Sequence, residues 1–415
     1  MILLVNPNQY KKPPVPPVGL EYLSGELKKN NYRTELLDLC FSDNPKHDLI
    51  NAISLYKPDI VGFTIRQVDT GLYSTIQFLL DDIKKYVDIC KVENKKVILG
   101  GAGFSIMPEE ILDYSGADFG VYGPGTKAIC NFMDMLDKNS MPPRVINGFN
   151  YFEKGKIHNS YRTFIKDYRK YIDNGAIAGF NTQTGCYGNC IFCTENNKPV
   201  IFLNPECVAS EINYLLKSGV DRFHLCDSEF NQNIEHCITV CKSIYNTCGK
   251  INWTLYMKSR PYSNELFYWL KKSGAELITL SLDSLNDNPD TFDSLAELFA
   301  LAESNGIKVA IDLSVGIPGE KEDCLEKIAV FLQKQSCVTI GVNAFYRIYP
   351  GTPLCNYIKE NYGEIKKHLI SYSAGSSLVK PAFYNHISVD KLRKIFNGDK
   401  FRMEGFEQTV NYQRI

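Results

Sequence analysis

Residues 184–193 read TGCYGNCIFC and set Cys186, Cys190 and Cys193 in a C-x3-C-x2-C arrangement. Phe180 to Thr184, just before them, reads as a strand, so the three thiols lie on the loop that leaves its carboxyl end. Three close thiolates on an irregular loop can wrap one soft-metal centre. Tetrahedral zinc wants a fourth ligand, and no Cys or His occurs in the ten residues after Cys193. A 4Fe–4S cube held by three cysteines leaves one iron open. Gly185 and Gly188 supply the backbone freedom that wrapping a cube requires. Chance proximity of three core cysteines, and a zinc with a distant fourth ligand, are the competing readings.

Outward from this loop, residues 178–355 alternate strand and helix signals. The strands are Phe180 to Thr184, Arg222 to Cys226, Ile251 to Met257, Leu277 to Leu282, Lys308 to Val315 and Thr339 to Tyr346. Six strand–helix units predict a partial (β/α)6 barrel of TIM-like type, whose active face lies at the carboxyl ends of its strands. Residues 1–138 show a second alternating series, with strands at Ile2 to Val5, Thr34 to Leu39, Asp59 to Ile65, Val97 to Leu99 and Asp118 to Tyr122. Helices are expected at Gly19 to Lys29, Leu49 to Tyr56, Leu72 to Val87 and Thr126 to Asp137. This predicts an α/β, doubly wound, Rossmann-like parallel sheet with its ligand at the strands' carboxyl ends. Residues 139–177 are expected to be a connector, with Val145 to Ile157 as a hairpin turning at Glu153-Lys154-Gly155-Lys156. Residues 356–415 are polar and aromatic and form a small C-terminal capping region.

Composition narrows the class. The chain has 415 residues, 44% hydrophobic and 22% charged, with net charge -1. Two to three domains fit that length. The charge balance gives no nucleic-acid surface, and no apolar run approaches a membrane span of about 20 residues. The opening MILLVNPNQY reads as a first strand rather than an export signal. Fourteen cysteines, most scattered singly, then imply a reducing, cytoplasmic setting. Cys237 and Cys241 at i, i+4, with Cys248 beyond, fit the inner face of a helix better than a second metal site.

With these pieces in order, the chain resembles the cobalamin-binding radical S-adenosylmethionine (SAM) enzymes. The resemblance rests on the three-cysteine loop and on HLCDSEFN, SVGIPGE and FYRIYPGTP at successive strand ends. In the first domain it rests on PPVGLEYLSGELKKNNY, KPDIVGFT, ILGGAGFSIMPEEIL and GADFGVYGPG. It implies a 4Fe–4S cluster on Cys186, Cys190 and Cys193, with SAM on the open iron. Phe192, Asp227, Ser228, Glu229, Ser284, Gly316 and Tyr346 are its implied SAM contacts. Pro17, Val18, Thr64, Ile65, Arg66, Gln67, Gly100, Gly101, Tyr122 and Gly123 are the implied cobalamin contacts. Where many such domains read G-E-G-E, this chain has Gly123-Pro124-Gly125-Thr126.

The D-x-H-x-x-G motif whose histidine ligates cobalt is absent, and His47 is the single histidine of residues 1–138. The expectation is therefore cobalamin with its own base displaced, no protein histidine on cobalt, and Arg66 or a neighbour over the lower face. The competing reading pairs Arg66 with Asp69. Gly123 to Ala128 also fits G-x-G-x-x-A, but it follows the fifth strand and no acidic residue stands where a nicotinamide site needs one.

The implied reaction is methylation of an unactivated carbon. A 5′-deoxyadenosyl radical removes a substrate hydrogen atom, methylcobalamin donates the methyl group, and a second SAM remethylates cobalt. Alternatives are a non-methylating radical reaction (oxidation, rearrangement or epimerisation) and, in another class, an iron–sulfur electron carrier or redox sensor. Expected partners are a small-molecule or peptide substrate and an electron donor of flavodoxin or ferredoxin type. With no small domain ahead of residue 1 to grip a leader peptide, a small molecule or partner-presented substrate is favoured.

Overall fold

The computed structural model describes the chain except residues 12, 72, 154, 167, 284–288 and 404–415. Its first sheet is built from β1 (Ile2–Asn6), β2 (Thr34–Asp38), β3 (Ile60–Thr64), β4 (Lys96–Gly100), β5 (Phe119–Tyr122) and β6 (Val145–Asn147). The order is β2-β1-β3-β4-β5-β6, and every pairing is parallel. All five residues of β1 are buried, as expected of a strand covered by helices on both faces. One apolar cluster, around Val61, Phe63 and Leu99, fills one side of this sheet. A second, around Leu4, Ile98 and Val121, lies on the other side against the helices Val18–Lys29 and Gly125–Asp137. The order reverses between β1 and β3, which makes their carboxyl ends a topological switch point.

The chain then passes through β7 (Ile157–His158), β8 (Ala178–Phe180), β9 (Gln183–Thr184) and β10 (Ile201–Leu203). The barrel series continues with β11 (Arg222–Leu225), β12 (Asn252–Met257), β13 (Ala275–Asp283), β14 (Lys308–Ser314) and β15 (Thr339–Asn343). The short strands β16 (Tyr346–Arg347), β17 (Leu369–Ile370) and β18 (Phe383–Tyr384) form a small antiparallel sheet. β19 (Phe401–Met403) returns to the barrel. The barrel sheet runs β8-β11-β12-β13-β14-β15-β19, parallel throughout and open between its edges.

Four expectations need correction. Val145 to Ile157 is not a hairpin: β6 pairs parallel with β5 and extends the first sheet, a short 3-10 turn (Gly148–Tyr151) redirects the chain, and β7 pairs with β10. The helix expected from Leu72 begins at Leu80 and runs to Val92. Residues before it are held as a loop by Thr70 N–H to Gln77 O, Leu79 N–H to Val68 O and an isolated bridge between Asp69 and Phe78. The helix expected from Leu49 begins at Pro45, so His47 lies in its first turn. The barrel sheet has a seventh strand, β19, drawn from residues 356–415, which were expected to form a cap.

Candidate functional site

The cysteine loop leaves β8 and β9 and folds back on itself. Cys193 N–H donates to Cys190 O, Asn197 N–H to Gly188 O and Lys198 N–H to Cys186 O, at 2.8 to 3.1 Å. Gly185 has φ +93°, and a Cβ there would stand 2.0 Å from Pro199 O, so only glycine fits. Donors converge on two of the sulfurs. Cys186 Sγ accepts from Gly188 N–H and Gln232 Nε2, each at 3.3 Å, and Lys258 Nζ lies 3.2 Å from Cys190 Sγ. Such donors can hydrogen-bond the cysteine sulfurs of an iron–sulfur cluster. Burial pushes the Cys193 thiol up. Among the described residues no three His, Cys, Asp or Glu side chains form a group able to hold one metal ion. Three cysteine sulfurs from one loop are the ligands a 4Fe–4S cube takes when one of its irons is left open, and Cys186, Cys190 and Cys193 would hold it.

The expected SAM contacts fall into two groups around this loop. On one side, the Phe192 and Tyr346 rings lie 5.0 Å apart, and Tyr346 Oη donates to Val315 O at 2.8 Å. Gly316 follows there, its N–H donating to the Glu320 carboxylate. On the other side, Asp227 turns inward. It accepts from Thr182 N–H at 2.9 Å, from Gln183 N–H at 3.2 Å, from Asn181 Nδ2 and from the Thr182 hydroxyl. Burial pushes its carboxyl up to about 7, against these hydrogen bonds. Asp227 thus braces the strand end that launches the cysteine loop. It caps no helix, since Asn233 caps the one that follows. Glu229 is buried 3.9 Å from Lys258 Nζ, and its main-chain carbonyl accepts from Gln183 Nε2. Ser228 faces a cavity described below. Ser284 lies outside the described residues.

That cavity, of about 370 Å³, joins the two domains. Its walls include Thr64, Gly100, Gly101 and Gly123 at the carboxyl edge of the first sheet. They also include Asn181, Gln183, Gly185, Cys226 and Ser228 at the top of the barrel. A slot continues between Leu4, Gly62 and Ile98 of the sheet and Leu20, Leu23 and Ile129 of the covering helices. At Gly62 a Cβ would come 3.2 Å from Leu4 and 3.4 Å from Ile98, narrowing this slot. An apolar slot with a glycine floor, opening onto a wide cavity, fits a cofactor with a planar head and a long tail, as cobalamin has.

Of the ten expected cobalamin contacts, Thr64, Gly100, Gly101 and Gly123 line the cavity. Ile65 and Tyr122 do not. Their side chains join the cluster on the opposite face of the sheet, because strand residues alternate and Thr64 and Val121 take the cavity side. Pro17 is buried at the start of the first long helix, and Val18 beside it packs towards Gly179 of β8. Arg66 donates to Gln67 Oε1 at 3.0 Å. Its surface is exposed yet flanked by both domains, within electrostatic reach of Cys226. Asp69 does not pair with Arg66; it is bonded by Arg347 at 2.9 Å in a buried ion pair between the domains. Sequence reasoning missed Tyr22, Lys127, Phe149 and Glu195 as cavity walls. Reading residues 145–157 as a hairpin hid Phe149.

The inner face of the barrel sheet is polar. Along β11 to β15, Phe223, Leu225, Trp253, Leu255, Leu280, Ile311 and Val342 face the helices and are buried. The alternate residues His224, Thr254, Tyr256, Thr279, Ser281, Asp312, Ser314 and Asn343 face inward, most of them partly exposed. A sealed apolar core would not hold such a set, so this face borders a polar chamber inside the barrel sheet.

Comparison with known proteins agrees with this architecture. Residues 12–133 match the B12 binding domain family and residues 180–332 the radical SAM superfamily. The chain is 22% identical over 448 residues to a tryptophan 2-C-methyltransferase of Streptomyces laurentii, covering 86% of this chain and 74% of that one. It is 24% identical over 340 residues to a putative methylthiotransferase of Methanocaldococcus jannaschii, covering 75% and 70%. Among solved structures, it resembles the radical SAM methyltransferase TsrM of Kitasatospora setae with cobalamin and a 4Fe–4S cluster bound. The TM-score is 0.78 at 22% identity, covering 91% of this chain and 78% of that one. The same enzyme with tryptophan and a SAM analogue bound gives 0.80 at 20% identity, covering 95% and 87%. The cobalamin-dependent SAM radical enzyme OxsB gives 0.72 at 14% identity, covering 92% and 64%. No helix among the described residues is long and apolar enough to cross a membrane.

Proposed function

This chain belongs to the radical SAM superfamily and carries a B12 binding domain ahead of its barrel, and on that premise we propose that it methylates a carbon atom of a small-molecule substrate. One observation carries the reading. A single cavity is shared by the carboxyl edge of the first sheet and the barrel top that launches the cysteine loop. A methyl carrier held by the first domain and a substrate held by the second would meet there.

When bound, the cluster with SAM supplies the activating chemistry and the source of the methyl group, and cobalamin carries that group. The protein's part is holding and positioning. Cys186, Cys190 and Cys193 would hold the cluster, with Gln232 and Lys258 donating to sulfur. Asp227 fixes the strand end from which the loop departs. Phe192 and Tyr346 offer a flat apolar wall for an adenine, and Ser228 and Glu229 polar groups for the methionyl end. Arg66, with no lone pair to offer a metal, would cover the lower face of the corrin. The C-terminal module closes the far side: Leu354 N–H donates to Ile191 O within the cysteine loop, and Phe192 packs on its apolar cluster.

The setting is cytoplasmic, and the reductant is a flavodoxin- or ferredoxin-type donor. Tryptophan, on which the Streptomyces relative acts, is the first substrate to assay. Protein reconstituted anaerobically with iron, sulfide and cobalamin should transfer a trideuteromethyl group from labelled SAM to a product carbon. Formation of 5′-deoxyadenosine with no labelled product in any extract tested would sink methyl transfer in favour of another radical reaction.

A further inference from the structure

His224 is a half-buried titratable group to which the reading above gives no task. It stands on β11, two residues and about 7 Å below Cys226 on the same face, so it lies deeper in the chamber than the cavity wall. The register sets it opposite Gly179 on β8 and Thr254 on β12. Its Nδ1 lies 2.7 Å from Thr254 Oγ1, and its ring meets that of Tyr256 edge-on at 5.8 Å. Among the described residues Nε2 has no hydrogen-bond partner, nor is it a fully buried atom left unpaired. Nε2 is therefore not sealed off by protein atoms.

The surroundings define what could meet that nitrogen. The paired positions around it are His224 with Thr254, then Tyr256 with Thr279 and Ala310, none carrying a charge. Of the charged groups on this face, Asp312 and Lys258 lie nearer the carboxyl ends, and Lys308, in the same row as His224, stands three strands away at the exposed start of β14. Burial pulls the His224 imidazole down to about 4, so it is uncharged near neutrality. An uncharged imidazole among hydroxyls can exchange a hydrogen bond with a neutral N–H or O–H group but cannot balance a carboxylate or an ammonium. The Tyr256 ring beside it suits a flat partner.

We propose that His224 is a substrate-binding residue whose Nε2 hydrogen-bonds an uncharged polar group on an aromatic ring, of the indole N–H or phenol O–H kind, at the deep end of the chamber. Thr254 fixes the imidazole through Nδ1, and Tyr256 forms the wall beside the ring. The inference rests on the reading that the barrel chamber holds the methyl acceptor.

The test is calorimetric binding of four probes, indole, phenol, toluene and benzoate, to protein reconstituted with cluster and cobalamin. Wild type should bind indole and phenol at least tenfold more tightly than toluene, and benzoate most weakly. His224→Phe should lose that tenfold preference while binding toluene as before, and His224→Gln, which keeps a hydrogen-bonding end, should recover most of it. Thr254→Val should weaken indole and phenol several-fold, which keeps the idea testable if His224→Phe fails to fold. Wild-type protein that binds neither indole nor phenol, or that does not distinguish phenol from toluene, overturns the proposal. So does a His224→Phe protein with the wild-type order of affinities. A correct binding pattern with no trideuteromethyl transfer would instead leave this site standing and remove the proposed reaction.

Discussion

At the residue scale the site depends on a few groups whose partners fix their roles. Asp227 gathers two backbone N–H groups, an amide and a hydroxyl at the point where the cysteine loop departs. Asp227→Ala would orphan buried donors, at about 1–3 kcal/mol. We expect a lower melting temperature and fewer irons per chain after reconstitution, both measured against Glu206→Gln on an exposed helix start. Retained iron would return Asp227 to a simple SAM contact. His224 sets an acid limit. Its folded value, about 4, lies below the ordinary histidine value of 6.5. Between those values the unfolded chain binds the extra proton, so the contribution of His224 to stability should be level above pH 6.5 and fall as pH drops toward 4, while Asp227, raised to about 7, contributes with the opposite sign. The loss of melting temperature between pH 7.5 and 4.5 should shrink in His224→Gln. Cys237 and Cys241 show the opposite outcome: both are fully buried on a helix's inner face, and burial raises both thiols, so they pack as small hydrophobes.

Elements explain where pattern reading succeeded and failed. The strands of both α/β series were legible from their apolar runs; the alternation along NWTLYM and KVAIDLS, which separates a helix-facing apolar row from an inward polar row, took its meaning only from the packed sheet. β6 was not legible. Three residues carry too little periodicity to show whether a strand pairs with its neighbour in sequence or with a strand more than twenty residues earlier. Ile146 is buried in the cluster beneath the first sheet, so Ile146→Ala should cost about 2–5 kcal/mol. Chemical denaturation will show it; a loss under 1 kcal/mol would return residues 145–157 to a surface hairpin. The loop after β3 is the other case. Its apolar residues suggested a helix, but Asp69, Thr70 and Val68 take their partners from within the loop and from the barrel. That leaves Arg66 facing Cys226 rather than bound to Asp69. Electron paramagnetic resonance of protein loaded with cob(II)alamin should therefore show no nitrogen superhyperfine splitting from an axial base. Such splitting would refute Arg66 as the cover of the lower face.

Across the whole molecule, buried ion pairs hold the two domains in register over the cavity. Arg162, fully buried, bonds Glu21 of the first domain at 2.6 Å and Gly179 O of β8 at 2.9 Å. Arg347 bonds Asp69 and the carbonyls of Ile348, Leu378 and Val379. Arg347→Met would leave Asp69 buried without its partner, at about 3–5 kcal/mol. We expect early melting and cobalamin lost on gel filtration, since the loop carrying Arg66 would no longer be pinned to the barrel. Unchanged cobalamin retention would show that the first domain holds its cofactor alone. Neither pair was legible in the sequence, because the partners stand 141 and 278 residues apart and nothing local marks them. By itself the sequence determined the two α/β series, the three-cysteine loop at a strand end, and the glycines at the edge of the first sheet. Each is a local matter of side-chain period, spacing or backbone freedom. The tertiary structure alone decided which side of each strand faces the cavity, that Asp227 braces the loop, and that Asp69 belongs to Arg347. It also decided that Phe401–Met403 return as β19 to edge the barrel. These outcomes depend on contacts between distant segments, where burial and hydrogen-bond satisfaction are settled only when the elements pack.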